Sequence, residues 1–254
     1  GGNVLAEADG VDVASAQTVE ISLSFAPTTT GVQVVNAVIE YSADKNADNN
    51  TSVAITLNVL EAGSKYIEVG QSDEELYVVP ASFMADESVS QTIYFAEEIG
   101  VKDMDLKMVS YPFYNATTNY ANVPVKVWVT EIDSTSIAVS SIPASKMTLV
   151  YEGNCPIAAG DESWDISFDK AYKYTGRNLV IMVHKKAPGT SDYGVTYRGI
   201  FGSYDDVNRR TRFTSAYYED EVLDMEANIG YSGSTMVPDI KMLFTSASSG
   251  IKEV

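Results

Sequence analysis

The sequence is poor in the residues that carry most enzyme chemistry. Among 254 residues there is one cysteine, Cys155, and one histidine, His184. A single cysteine excludes an intramolecular disulfide and any CxxC metal site. A Ser-His-Asp triad, a histidine-based zinc site or a histidine general base would each have to use His184. That residue sits in Val183-His184-Lys185-Lys186, at the end of an apolar strand pattern. Neighbouring cations disfavour a protonated imidazole, so the expectation is a strand-end surface residue without a catalytic role. Bases are scarce as well, 17 against 35 acids, for a formal net charge of −18. Such a surface repels phosphate backbones and anionic lipid heads, so neither nucleic acid nor a membrane surface is an expected partner. No run approaches the ~20 apolar residues of a membrane span, and no membrane insertion is expected. A Gly-rich phosphate loop and a GxSxG elbow are both missing. No motif nominates a carboxylate pair for glycoside hydrolysis. The expectation is therefore a protein that is not an enzyme.

What is present is a period of two. Val19, Ile21, Leu23 and Phe25 alternate with polar residues, as do Val53, Ile55, Leu57 and Val59. The same holds for Val125, Val127 and Val129, for Trp164, Ile166 and Phe168, and for Ile240, Met242 and Phe244. Leu179, Ile181 and Val183 share the period, with Val180, Met182 and His184 between them. Each reads as a half-buried antiparallel strand, set off by Gly, Asn, Asp, Ser and Pro clusters. Helix signals are few: a short turn at Glu97-Glu98-Ile99 stopped by Gly100, and a weak helical spacing over 219–227. With 45% apolar residues the chain can bury a core, and the pattern predicts an all-β protein of sandwich or jelly-roll type.

Two units are expected. The first 62 residues hold eight acids and one base, Lys45, and the rest hold 27 acids and 16 bases. The break falls at Glu61-Ala62-Gly63-Ser64-Lys65. Residues 1–62 contain three strand patterns, over 17–26, 31–43 and 52–60, too few for an immunoglobulin-like sandwich. They read as the C-terminal part of an Ig-like β-sandwich domain, and 248–254 reads as the start of a linker. The chain then belongs to a larger modular protein.

Two resemblances add to this. Ser15-Ala16-Gln17-Thr18-Val19, Gly31-Val32-Gln33-Val34 and the Asp44–Asn50 stretch resemble the last strands of Ig-like adhesion modules of bacterial surface proteins. A longer series covers 65–246. It comprises Ser90–Gly100, Val125–Asp133, Ile142–Ser145, Leu149–Gly153, Trp164–Phe168 and Tyr174–Ile181. Its order is similar to the jelly-roll modules of Bacteroidetes secreted and cell-surface proteins, related to the cleaved-adhesin domains that accompany gingipain proteases. The resemblance implies a jelly-roll β-sandwich over 63–247. It also implies a non-catalytic adhesion role toward a glycan or host protein, often with structural calcium. A structural spacer that positions a hydrolase or surface appendage in the same parent protein is the alternative.

Candidate site residues follow from side-chain chemistry. Asp44, Asn46 and Asp48 place oxygens at alternate positions, as a hard cation such as Ca2+ requires, although the stretch is not an EF-hand. Glu219, Asp220 and Asp224, with Glu221 and Glu226, crowd five carboxylates that a cation would relieve. Tyr111, Phe113, Tyr114 and Tyr120 form one aromatic group and Tyr193, Tyr197 and Tyr204 a second; flat rings stack on sugars. Trp128 is expected on the outer face of its sheet, covering it. Asp133-Ser134-Thr135 resembles an O-glycosylation motif of exported Bacteroidetes proteins and implies a location outside the cytoplasm.

Overall fold

The computed structural model describes residues 3–113, 116, 119–187, 200–218, 221–230 and 233–246. The chain divides into two units, Gly1–Ala62 and Gly63–Val254.

In the first unit, β1 (Gly31–Val35) and β2 (Ile55–Val59) pair antiparallel with Gly31 opposite Val59, and a lone bridge joins Val38 to Thr51. The strand expected over 17–26 is not formed; those residues make no ladder. Val19, Ile21, Leu23 and Phe25 are exposed, and among the described residues of 3–62 none is buried. Alternation sorts side chains to two faces, but two strands have no second layer against which to bury one.

The second unit is built from β3 (Lys65–Val69), β4 (Glu75–Leu76), β5 (Glu87–Tyr94), β6 (Met104–Pro112), β7 (Pro124–Ile132) and β8 (Thr148–Asn154). It continues with β9 (Ser163–Tyr174), β10 (Asn178–Lys186), β11 (Ile200–Tyr204), β12 (Thr211–Ala216), β13 (Met236–Pro238) and β14 (Ile240–Ser246). The helix α1 (Ala96–Ile99) ends at Gly100, whose φ of 66° is the left-handed cap the sequence announced. The described part of the acidic stretch, 221–227, is not helical.

All pairings are antiparallel. One sheet runs β12-β5-β10-β7-β8, the other β3-β14-β6-β9, and a small third runs β13-β11-β4. Without β12 and the small sheet, the strands taken in chain order fall as 1-8-3-6 and 2-7-4-5. That is the paired Greek-key order of a jelly roll; β12 adds an edge beside β5.

The two large sheets close on one core. Val125, Val127, Val129, Leu179, Ile181 and Val183 from one meet Leu106, Val109, Trp164, Ile166, Met242 and Phe244 from the other. The alternation read from the sequence names the inward sets of β7, β9, β10 and β14; the β6 residues Leu106 and Val109 carried no such reading. Tyr174-Thr175-Gly176 reads in the sequence as a glycine at a tight corner before the Leu179–Val183 strand, and there Gly176 has φ 104° and a Cβ would meet Lys102 Cβ at 2.7 Å.

The outer face of the five-stranded sheet departs from the expectation of half-buried strands. Val180 and Met182 of β10 are buried too, beneath the loops 133–147 and 221–230. Ile137, Ile142 and Met147 come from the first loop, and Leu223, Met225 and Ile229 from the second. Arg212 of β12 holds both loops down. Its guanidinium donates to the carbonyls of Ile137 (3.3 Å), Ala138 (2.8 Å), Ile229 (2.6 Å) and Gly230 (2.6 Å). Gln91 of β5 exchanges two hydrogen bonds with the Ile142 backbone. Trp128 does lie on the outer face, but under this cover, buried among Val89, Met182 and Ile229.

Candidate functional site

The cover stops two outward rows short of the end of the sheet. Beyond Trp128 and Met182, the next outward positions are Lys126 on β7 and His184 on β10, which stand directly opposite each other. Lys126 in turn faces Glu152 on β8, and Lys186 faces Glu87 on β5. Register alone thus assembles Glu152, Lys126, His184, Lys186 and Glu87 from four adjacent strands on one face. All of these but the buried Glu87 line a groove of about 290 Å³, together with Pro124, Val125 and Gly153. That volume is at the small end of the ~300–1,000 Å³ of ligand sites.

Every ionic group in the groove has a partner. His184 Nε2 and Glu87 Oε1 are 2.7 Å apart, and Lys186 Nζ lies 3.3 Å from Glu87 Oε2. Lys126 Nζ lies 2.7 Å from Glu152 Oε1. Glu87 is 3% exposed and His184 9%, so this pair is held below the surface, while Lys126, Lys186 and Glu152 reach solvent. The Trp128 ring backs His184 with 6.4 Å between centroids. Burial pulls the His184 imidazole below its usual range. Glu87 opposes this through its hydrogen bond and charge, and Lys126 and Lys186 reinforce it. The sequence reading placed the neutralising cations at Lys185 and Lys186. Strand parity sends Lys185 to the opposite face, and Lys126 takes its place. His184 is also buried rather than a surface residue.

Lys185 has no access to the groove. Its Nζ donates to Ala85 O at 2.7 Å and Ala187 O at 2.9 Å, 5.6 Å from the Phe83 ring centroid. Burial pulls this amine down to about 8. Cys155 is equally withdrawn; burial raises its thiol to about 11.

Tyr111, Phe113 and Tyr120 of the first aromatic group pack in or against the core, not on an exposed face as sugar contact would need. Tyr111 is 1% exposed, and Phe113 is buried with it. Tyr120 packs at 5.7 Å from Phe83, and Trp164 stands edge-on to Phe83 at 5.3 Å. The turn-forming residues around them in sequence concealed that these rings plug one end of the sandwich. Tyr204 of β11 is 54% exposed, away from the groove lining. Tyr114, Tyr193, Tyr197, Glu219 and Asp220 lie outside the described residues.

The candidate calcium residues are engaged locally. Asp44 Oδ1 accepts the Asn46 N–H at 2.9 Å, and Asp48 falls in a 3-10 turn, so this stretch is a self-capped turn. Asp224 Oδ1 accepts the Glu226 N–H at 2.9 Å, and Glu226 ties down Ser145 through its N–H and hydroxyl. Among the described residues no three His, Cys, Asp or Glu side chains gather as a metal would need. No helix of the described residues is long and apolar enough to cross a membrane. Asp133 pairs with Arg177 at 2.7 Å.

The groove residues were missed because no local motif joins them. Glu87 and His184 are 97 positions apart. The one available signal was the parity that put Lys126, Trp128 and His184 on the same outward face.

The sequence matches no protein-family model and no curated protein. Solved structures with some likeness include the clostridial cysteine protease Cwp84 after propeptide cleavage. It has 10% identity and a TM-score of 0.39, covering 81% of this chain and 45% of that one. Another is the cysteine protease and lectin-like domains of Cwp84, a surface-layer-associated protein of Clostridium difficile. There identity is 10% and the TM-score 0.36, covering 80% of this chain and 40% of that one. This chain spans less than half of either.

Proposed function

We propose that the second unit is a non-catalytic binding module that takes a short, hydroxyl-rich glycan in the groove at the uncovered end of its five-stranded sheet. The observation that carries this reading is the composition of the groove. Two ammonium groups offer donors, Glu152 and the imidazole offer acceptors, and Pro124, Val125 and the lysine stems offer apolar surface for a sugar face. Among the described residues, the groove lining holds no Ser, Thr or Cys nucleophile. Its one carboxylate, Glu152, is committed to Lys126, and Glu87 behind His184 is committed to Lys186. The first unit, as part of an Ig-like module, would link this one into a secreted or cell-surface bacterial protein.

The test is a glycan-array screen of the full chain, with calcium and again in chelator, followed by titration of each hit against Lys126→Ala. Saturable binding that weakens in the variant supports the groove. Loss in chelator would bring back the calcium expectation. A second reading, a structural spacer, is favoured by the loops that seal most of the same sheet face. Absence of binding by demonstrably folded protein would select it.

A further inference from the structure

The groove contains a histidine whose tautomer is set from below. Glu87 comes from β5, is almost wholly buried, and carries Lys186 Nζ on one oxygen and His184 Nε2 on the other. A carboxylate has only lone pairs to offer. The proton of the 2.7 Å contact therefore belongs to Nε2. A neutral imidazole has one N–H, so Nδ1 is left with a lone pair. No hydrogen bond to Nδ1 is formed among the described residues. The charged and titratable groups around the ring are Glu87 from β5, Lys126 from β7 and Lys186 from β10 itself. Glu152 from β8 stands behind Lys126.

We infer that His184 is the specificity-determining acceptor of the groove. Through Nδ1 it receives a hydroxyl of an uncharged saccharide, and Lys126 donates to the same oxygen. The inference rests on the groove reading above and deepens it. Lys126 and His184 are cross-strand neighbours, with Cβ atoms about 5 Å apart. One hydroxyl can span them, accepting from the ammonium and donating to the ring. An anionic ligand fits less well. Each lysine is already matched by a carboxylate, and the groove belongs to a chain with a formal net charge of −18.

A consequence follows with pH. Protonating His184 turns Nδ1 into a donor. The hydroxyl oxygen then faces two donors, and its own proton has no acceptor. A third cation would also stand between Lys126 and Lys186. Burial and these two lysines already oppose that charge. Binding should therefore hold through the ordinary histidine range and fade only below it, by about tenfold for one lost hydrogen bond in a desolvated site.

His184 is the only histidine, so it can be read directly in the full chain. Nitrogen-15 histidine labelling with long-range proton–nitrogen correlation at pH 7.5 should report the Nε2–H tautomer, and Glu87→Ala should mix it. Neutral manno-, cello-, malto- and chito-oligosaccharides are then titrated at pH 7.5 and at one unit below the His184 midpoint read from the same resonances, with oligogalacturonides as the acidic arm. His184→Gln supplies a binder with no titrating group. The expected result is neutral-sugar affinity that falls about tenfold at the lower pH in the parent and stays flat, though weaker, in His184→Gln. An Nδ1–H tautomer overturns the inference. So does saccharide binding that is unchanged or tighter at the lower pH, or a preference for oligogalacturonides; each leaves the groove in place. No binding by any probe at either pH overturns the groove reading as well.

Discussion

Arg212→Ala should detach the two loops that cover the five-stranded sheet. Arg212 is fully buried, and its guanidinium serves four backbone carbonyls, two in each loop. A typical intramolecular hydrogen bond contributes about 1 kcal/mol net, more where a charge is involved, and a buried acceptor left unmade costs about 1–3 kcal/mol. Part of the gain is offset by the cost of keeping the guanidinium out of water. The carbonyls can be rehydrated only if the loops lift, which exposes Trp128, Val180 and Met182. Four bonds at about 1 kcal/mol each give a loss of about 4 kcal/mol. That is a large share of the ~5–15 kcal/mol that holds a domain folded. Arg212→Lys should recover less than half, because one ammonium cannot span both loops as the planar fork does. The assay is equilibrium urea unfolding followed by fluorescence and far-ultraviolet circular dichroism. The two tryptophans divide the readout: Trp128 lies under the loops and Trp164 in the central core. Lifting of the cover should red-shift Trp128 before the global transition, a shift that Trp128→Phe abolishes. A variant within about 1 kcal/mol of the parent, with coincident transitions, would refute the clamp.

Three further outcomes follow. Folded Lys185 releases its proton near pH 8 and unfolded Lys near 10.4, so between these values the unfolded chain binds more protons and stability should rise with pH. The gain from pH 8 to 9.5 should be about 1.5 kcal/mol, and Lys185→Met should flatten it; an unchanged slope would place that titration elsewhere. Cys155, buried with its thiol raised to about 11, should resist aromatic disulfide reagents at pH 8 until denaturant is added, and stoichiometric labelling of native protein within seconds would contradict its placement. Tyr111→Ala should cost about 3–5 kcal/mol by leaving a core cavity, whereas Tyr204→Ala should stay within about 0.5 kcal/mol; thermal melts showing the reverse order would return Tyr111 to the surface.

Much of the strand architecture was legible from alternation. The inward sets of β7, β9, β10 and β14, the glycine stop of α1 at Gly100 and the corner at Gly176 are local properties, and local sterics reveal them. Alternation states which residues share a face. It does not state what covers that face. For this reason Val19–Phe25 reads as a strand yet forms no ladder, and Val180 and Met182 read as an exposed set yet lie beneath two loops. The rings at Tyr111 and Phe113 read as a surface platform because their neighbours are turn-formers; only closure of the sandwich shows them filling it. The groove lies furthest from sequence. Glu87, Lys126, Glu152 and His184 belong to four strands, and hydrogen-bond register, set by the whole fold, brings them together. By itself the sequence determined the class of the fold and the two faces of most strands, because side-chain parity is a covalent fact. The partner of His184, the role of Arg212 and the burial of the aromatics were decided only by the tertiary structure, because each depends on long-range closure between segments that share no local signal.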